Sequence, residues 1–269
     1  MRNGSKWLLW TAISGAVLLV GPRLLFFRRR RLPPGFVSAK LSRGDGSQLA
    51  CASHRTGSDR LVIIAHGLMD ASCRPGYVRL ASAASERFDV ISYDMAGHGD
   101  SSGAWRFSFL DAANELGRVV EHARSLGYRK IGVAGYSMGG AAAIVAAAQG
   151  APIDAVAAVS SPVRPLAAAR RLGGLHAMGV ACLWARMMGT RVDPRVAPEP
   201  WPIDYVADVS PRPLLVVHNA LDFMISRRQS EALYAVAKQP KAYARMPGAL
   251  HASQRASQNT VLDWLDAQL

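Results

Sequence analysis

The stretch that decides the fold is Lys130–Gln149, KIGVAGYSMGGAAAIVAAAQ. KIGVAG reads as a buried strand, and MGGAAAIVAAAQ as a helix. Between them stands Ser137, in the pattern Gly-x-Ser-x-Gly made with Gly135 and Gly139. A serine on so sharp a strand-to-helix turn is forced into a strained backbone conformation, with its hydroxyl pushed out at the C-terminal edge of the sheet. Residues two before and two after it crowd the neighbouring strand and helix, so Gly135 and Gly139 need to lack Cβ. The five-residue pattern alone recurs by chance; its place between a strand and a helix gives it meaning.

Outward from this stretch the chain alternates. FVSAKL and GSQLACASH read as two strands joined by a turn at Gly44–Asp45–Gly46. RLVIIAH, FDVISYD, IDAVAAVSS, RPLLVVH and AYARMP read as strands; YVRLASAASER, RRQSEALYAVAK and SQNTVLDWLDAQ read as helices. FSFLDAANELGRVVEHARSLG is an amphipathic helix, with Phe109, Leu110, Ala113, Leu116 and Val120 near helical spacing. The fold class is therefore α/β: a mostly parallel sheet with helices on both faces, over residues 36–269. An insertion at about 162–209 interrupts the alternation with apolar Leu183, Trp184, Met187 and Met188 and a proline-rich tail. Such a segment reads either as a helical lid or as a packed elaboration of the core.

The formal charge of +13 does not mark a nucleic-acid binder. Nine basic residues and no acidic ones lie between Met1 and Arg43, which leaves +4 on the other 226 residues. That terminus is also apolar: Trp7–Gly21 carries no charge, and Arg28–Arg31 closes the segment after Phe26–Phe27. Residues 1–31 are expected to be an uncleaved membrane anchor. A cleaved signal, which would leave the domain secreted or periplasmic, and a peripheral amphipathic segment are the rivals. No small-x-small cleavage site is obvious before the arginine cluster. For an anchor, the arginine cluster puts the large domain in the cytoplasm. Cys51, Cys73 and Cys182 are odd in number and widely spaced, and read as packing residues rather than a disulfide framework or zinc site.

A serine hydroxyl is a poor nucleophile unless a histidine takes its proton and a carboxylate holds that histidine. Downstream of Ser137 stand His176 in the insertion, His218 at a strand end, and His251 in the turn before the last helix. His251 is the candidate base; His218 reads as structural, and His176 as a pocket residue at most. For the acid, Asp222 follows the strand PLLVVH by four residues, ahead of Asp193, Asp204 and Asp208. Backbone amides of Met138 and of Leu68, in IIAHGLMD, are the expected oxyanion donors. Gly67 lets that loop turn, and His66 reads as its organiser.

AHGLMD, YDMAGHGDSSG, GYSMGG, PLLVVHNALD and GALHAS, in this order over about residues 60–255, are together specific. On these motifs the chain resembles the α/β-hydrolase fold serine hydrolases, in the branch of monoglyceride-lipase-like esterases and serine-aminopeptidase-like proteins. The resemblance implies a Ser137–Asp222–His251 triad and an oxyanion hole of the Leu68 and Met138 amides. It implies Asp94 and His98 as scaffold residues. The sequence departs at Ala96, where relatives often carry Arg or Pro, and at Asn219, where Gly is usual. The implied chemistry is acyl transfer from a small-molecule or lipid ester, without cofactor or metal. Amidase, peptidase, thioesterase and acyltransferase activities share the same triad, and a non-catalytic scaffold would require it broken. A dinucleotide-binding Gly-x-Gly-x-x-Gly and zinc-protease His-Glu-x-x-His patterns are absent from the sequence.

Overall fold

The computed structural model of the chain describes residues 32–106, 108–164, 182–183, 185–187, 189–193 and 201–269. The expected anchor at 1–31, His176, Trp184, Met188 and most of the insertion lie outside the described residues. Among the described residues no helix is long and apolar enough to cross a membrane.

Eight strands form one sheet: β1 (Val37–Ser42), β2 (Gln48–His54), β3 (Arg60–Ala65), β4 (Asp89–Tyr93), β5 (Lys130–Tyr136), β6 (Ala155–Val159), β7 (Leu214–Asn219) and β8 (Lys241–Met246). Their spatial order is β1-β2-β4-β3-β5-β6-β7-β8. β2 is antiparallel to both its neighbours and every other pair is parallel. Because β1 and β4 both oppose β2, Val37 enters the sheet at the edge where the parallel strands begin.

The inner parallel strands are mostly apolar on both faces because helices cover both. On β3, Leu61 and Ile63 join the cluster containing Leu116, Val120, Ile144 and Val145. Val62 and Ile64 point the other way, into the cluster with Leu80, Leu262 and Leu265. This two-residue alternation separates the layers: α2 (Phe109–Ser125) and α3 (Met138–Ala148) on one face, α1 (Pro75–Ala84) and α6 (Gln254–Gln268) on the other. Two further helices are α4 (Pro202–Tyr205) and α5 (Arg227–Val236).

The helix starts refine the sequence reading. α1 begins two residues earlier than its apolar pattern, because Pro75 suits a first turn, where its missing N–H is not needed. α2 begins after Ser108, whose Oγ accepts from the Asp111 amide at 2.9 Å. Leu110, read as part of its apolar face, is only half-buried. In the described part of the insertion, Leu183 is exposed and Ala185 buried. It is stitched at Arg191 to the loop after β4, where the Arg191 amide donates to Gly97 O and the Trp105 amide to Arg191 O, both at 2.7 Å.

Candidate active site

The sharp turn at the end of β5 holds Ser137 at φ 50°. Both glycines of the motif are dictated by close backbone approach. A Cβ on Gly135 would lie 2.5 Å from Gly139 O, and one on Gly139 would enter the backbone of Ala65 on β3. The serine therefore stands above the sheet edge because strand and helix pack with no side chain between them.

His251 reaches that serine from the loop between β8 and α6, with Nε2 3.0 Å from Ser137 Oγ. Its Nδ1 lies 2.8 Å from Asp222 Oδ2 and 3.0 Å from Oδ1. Since a carboxylate only accepts, Nδ1 carries the proton and Nε2 is left to accept from the serine hydroxyl. Asp222 sits in the loop after β7 with its side chain wholly buried. Oδ1 accepts from the amides of Met224 at 2.9 Å and Ile225 at 2.8 Å. Burial works to raise the carboxyl's pKa. Hydrogen bonds from His251, the Ile225 amide and Ser160 more than offset it and hold the group below the usual aspartate value.

The other carboxylates weighed from sequence are engaged elsewhere. Asp204 accepts from the Trp201 amide at 2.8 Å, Asp208 lies 3.9 Å from Lys238, and Asp193 lies 3.5 Å from Arg106. His218 is buried beside Ser230 Oγ, 3.2 Å from its Nδ1.

The loop after β3 passes close to the serine: a Cβ on Gly67 would lie 3.3 Å from Ser137 Cβ. Its amides are nearly all committed. Gly67 N–H donates to Tyr77 Oη at 3.0 Å, Met69 N–H to His98 Nε2 at 3.2 Å, and Asp70 N–H to Gly67 O at 3.3 Å. The Leu68 amide finds no acceptor among the described residues, and neither does that of Met138, the first residue of α3. Two amides are thus left over beside the serine hydroxyl, one of them at a helix N-terminus.

Buried histidines hold this arrangement from below. His66 Nε2 accepts from Met95 N–H at 3.0 Å, while Nδ1 donates to Gly67 O at 2.7 Å. His98 donates from Nδ1 to Ala96 O at 3.0 Å; burial pushes its pKa down to about 3, so Nε2 stays an acceptor for Met69. Asp94 accepts from the amides of Ser72 at 2.7 Å and Asp100 at 2.9 Å. The cavity over these groups has a volume of about 300 Å³ and is lined by Gly67, Leu68, Tyr77, Ser137, Leu250 and His251, among others.

Three residues that the sequence left without a role belong to this edge. Tyr77 takes the Gly67 amide, Ser160 Oγ takes the amide of Ala252 beside His251 at 3.2 Å, and Asn219 Nδ2 donates to Leu250 O at 2.7 Å, tying the acid loop to the histidine loop. Only Asn219 had a signal in the chain, as a departure from glycine. Tyr77 lies on a helix whose apolar spacing explains it fully, and Ser160 is one of two serines closing a strand.

A family model described as alpha/beta hydrolase fold matches residues 60–177. The protein YfhR of Escherichia coli O157:H7 is 30% identical over 195 residues, 71% of this chain, and the chain spans only 62% of that relative's length. Among solved structures, Est1E of Butyrivibrio proteoclasticus with ferulic acid bound is similar at 22% identity and a TM-score of 0.67, covering 86% of this chain and 98% of that one. The Pyrococcus furiosus esterase Pf2001 is similar at 19% identity and a TM-score of 0.68, over 88% and 95% of the two chains. With the strand order and crossovers described above, these likenesses give the chain the α/β-hydrolase fold.

Proposed function

We propose that the protein is a serine hydrolase that cleaves carboxylic esters through an acyl-enzyme on Ser137. The observation that carries this reading is one continuous relay: Ser137 Oγ to His251 Nε2 at 3.0 Å, and His251 Nδ1 to Asp222 Oδ2 at 2.8 Å. Ser137 Oγ attacks the ester carbonyl carbon as His251 Nε2 takes its proton. The oxyanion so formed is held by the Leu68 and Met138 amides. Collapse of the tetrahedral intermediate expels the alcohol, which takes the proton back from His251. Water, deprotonated by the same imidazole, then releases the acid from Ser137. Asp222 stays ionised throughout and stabilises the imidazolium. The esterase named among the structural neighbours favours an ester substrate over an amide.

An apolar acyl group is the substrate class that best suits the mouth of the site. Leu221, Phe223, Met224 and Leu250 are exposed on the acid and histidine loops, Phe223 to 79%. It agrees with the monoglyceride-lipase-like resemblance of the motifs, with the insertion at 162–209 serving as a lid. Residues 1–31 serve as a membrane anchor with the domain cytoplasmic; signal cleavage and export is the alternative. Between Arg31 and Val37 the chain can extend about 20 Å. It joins the sheet at the edge opposite Ser137, so such an anchor attaches to the domain at the end remote from the site.

Substitution Ser137→Ala in the full chain tests the reaction. It should abolish p-nitrophenyl ester hydrolysis and labelling by a fluorophosphonate probe. Labelling undiminished by the substitution overturns the assignment. A panel of acyl esters against short peptides and thioesters then fixes the subclass.

A further inference from the structure

His251 stands on a loop with few anchors of its own. From Met246, the end of β8, to Gln254, the start of α6, the chain has neither strand nor helix, and directly after the histidine it turns through Ala252 at φ 48°. A non-glycine residue keeps such a backbone only where neighbouring contacts impose it. Leu250, directly before the histidine, adds little packing, because its side chain is 60% exposed. The placement of the imidazole therefore depends on the hydrogen bonds made by the backbone on either side of it.

Asn219, the last residue of β7, supplies one of these bonds. It is fully buried, and its Nδ2 donates to Leu250 O at 2.7 Å. The Ser253 amide also donates to that carbonyl, at 3.3 Å, but this bond stays within the loop. The backbone ties between the two strand ends stop short of Leu250: Ala220 N–H donates to Met246 O at 3.0 Å and Leu221 N–H to Ala249 O at 2.9 Å. Asn219 also opens the turn that carries the acid, its own carbonyl accepting the Asp222 amide at 3.0 Å. One residue thus holds the amide of Asp222 and the carbonyl that precedes His251.

The chemistry of the side chain fits this place. Leu250 O can only accept, so the NH₂ group faces it. Oδ1 is left buried with no donor among the described residues. An amide oxygen buried in this way is costly, and an aliphatic side chain of similar shape would avoid the cost. What the aliphatic side chain lacks is the bond to Leu250.

We propose that Asn219 is a positioning residue: it brackets the acid turn to the histidine loop, so that the Asp222 carboxylate and the His251 imidazole keep one relative geometry. The inference rests on reading Ser137, Asp222 and His251 as a hydrolytic triad. Asn219 touches none of the reacting atoms and acts through the two loops it joins.

The test uses full-length wild type, Asn219→Leu, Asn219→Ala, Asp222→Ala and the Asn219→Leu/Asp222→Ala double variant. It measures kcat and KM on a p-nitrophenyl ester, the rate and endpoint of fluorophosphonate labelling, and the melting temperature. Loss of the bracket predicts a fall of about 5- to 30-fold in kcat for both Asn219 variants, with KM within about twofold. Labelling should slow in proportion but reach the wild-type endpoint, which a misfolded fraction would not. Asn219→Leu removes the buried oxygen that lacks a donor, so its melting temperature should hold or rise even as kcat falls. Asn219→Ala removes the amide without adding bulk and should lose kcat alike. Where Asp222 is already alanine, Asn219→Leu should change kcat by less than about twofold. The proposal is overturned if either Asn219 variant keeps kcat within about twofold of wild type, if only KM moves, if the lost activity is matched by a lost labelling endpoint, or if the losses multiply in the double variant. Wild type that neither turns over nor labels sinks the triad reading itself, and this inference with it.

Discussion

Replacing Asp222 by asparagine changes one atom and should stop the proposed reaction. Oδ1 accepts two amides, from Met224 and Ile225, so the asparagine oxygen has to take that position to keep them. The NH₂ group then falls where Oδ2 was, 2.8 Å from His251 Nδ1. Two donors cannot face each other at that distance. The retained oxygen, 3.0 Å from Nδ1, is the only acceptor left there, and the facing NH₂ shifts the imidazole toward the tautomer with its proton on Nε2, which points at Ser137 Oγ. A protonated Nε2 cannot accept the serine's proton, and the negative charge that stabilised the imidazolium is gone. The expected loss is about 10⁴-fold in kcat, equivalent to roughly 5 kcal/mol on the barrier, as for the corresponding change in serine proteases. Steady-state hydrolysis of a p-nitrophenyl ester and the rate of fluorophosphonate labelling should fall together. Because volume and both backbone contacts survive, thermal unfolding should shift only slightly. A variant retaining more than about a tenth of wild-type kcat would refute the tautomer argument and the role of Asp222 with it.

Gly139→Ala places a Cβ inside the backbone of Ala65 and should cost 3 kcal/mol or more in urea unfolding; wild-type stability would contradict the packing at the turn. Tyr77→Phe leaves the Gly67 amide without its acceptor and frees the loop that offers Leu68. It should lose about 1–3 kcal/mol of stability and about tenfold in kcat, and unchanged turnover would detach Tyr77 from the oxyanion loop. Burial pushes the Glu115 carboxyl from 4.5 up to about 7, against the Ala96 amide and Arg43 that favour its charged form. The folded state thus holds a proton that the unfolded chain releases, so this contribution is complete below pH 4.5 and is lost as pH rises to about 7. The decline, up to about 3 kcal/mol, should vanish in Glu115→Gln when unfolding is followed from pH 5 to pH 8.

Much of this fold was legible before any coordinates. Continuous apolar runs mark strands buried on both faces, and periodic helices between them force right-handed crossovers, since a parallel strand can return no other way. The glycine spacing around Ser137 already encodes the turn, because only the absence of Cβ lets β5, β3 and α3 meet there. What local pattern could not resolve was which distant groups share an edge. Asp193, Asp204, Asp208 and Asp222 are chemically identical in sequence. Only the order of β6, β7 and β8 brings the last of them within 2.8 Å of His251, which follows it by 29 residues. Ser160 and Tyr77 were silent for the same reason. A buried serine and a helical tyrosine acquire meaning from the amides they accept, and those come from loops distant in the chain. Periodicity acts over a few residues and therefore sets the elements. Hydrogen bonds at the sheet edge join residues a hundred positions apart, and only the packed tertiary structure selects them.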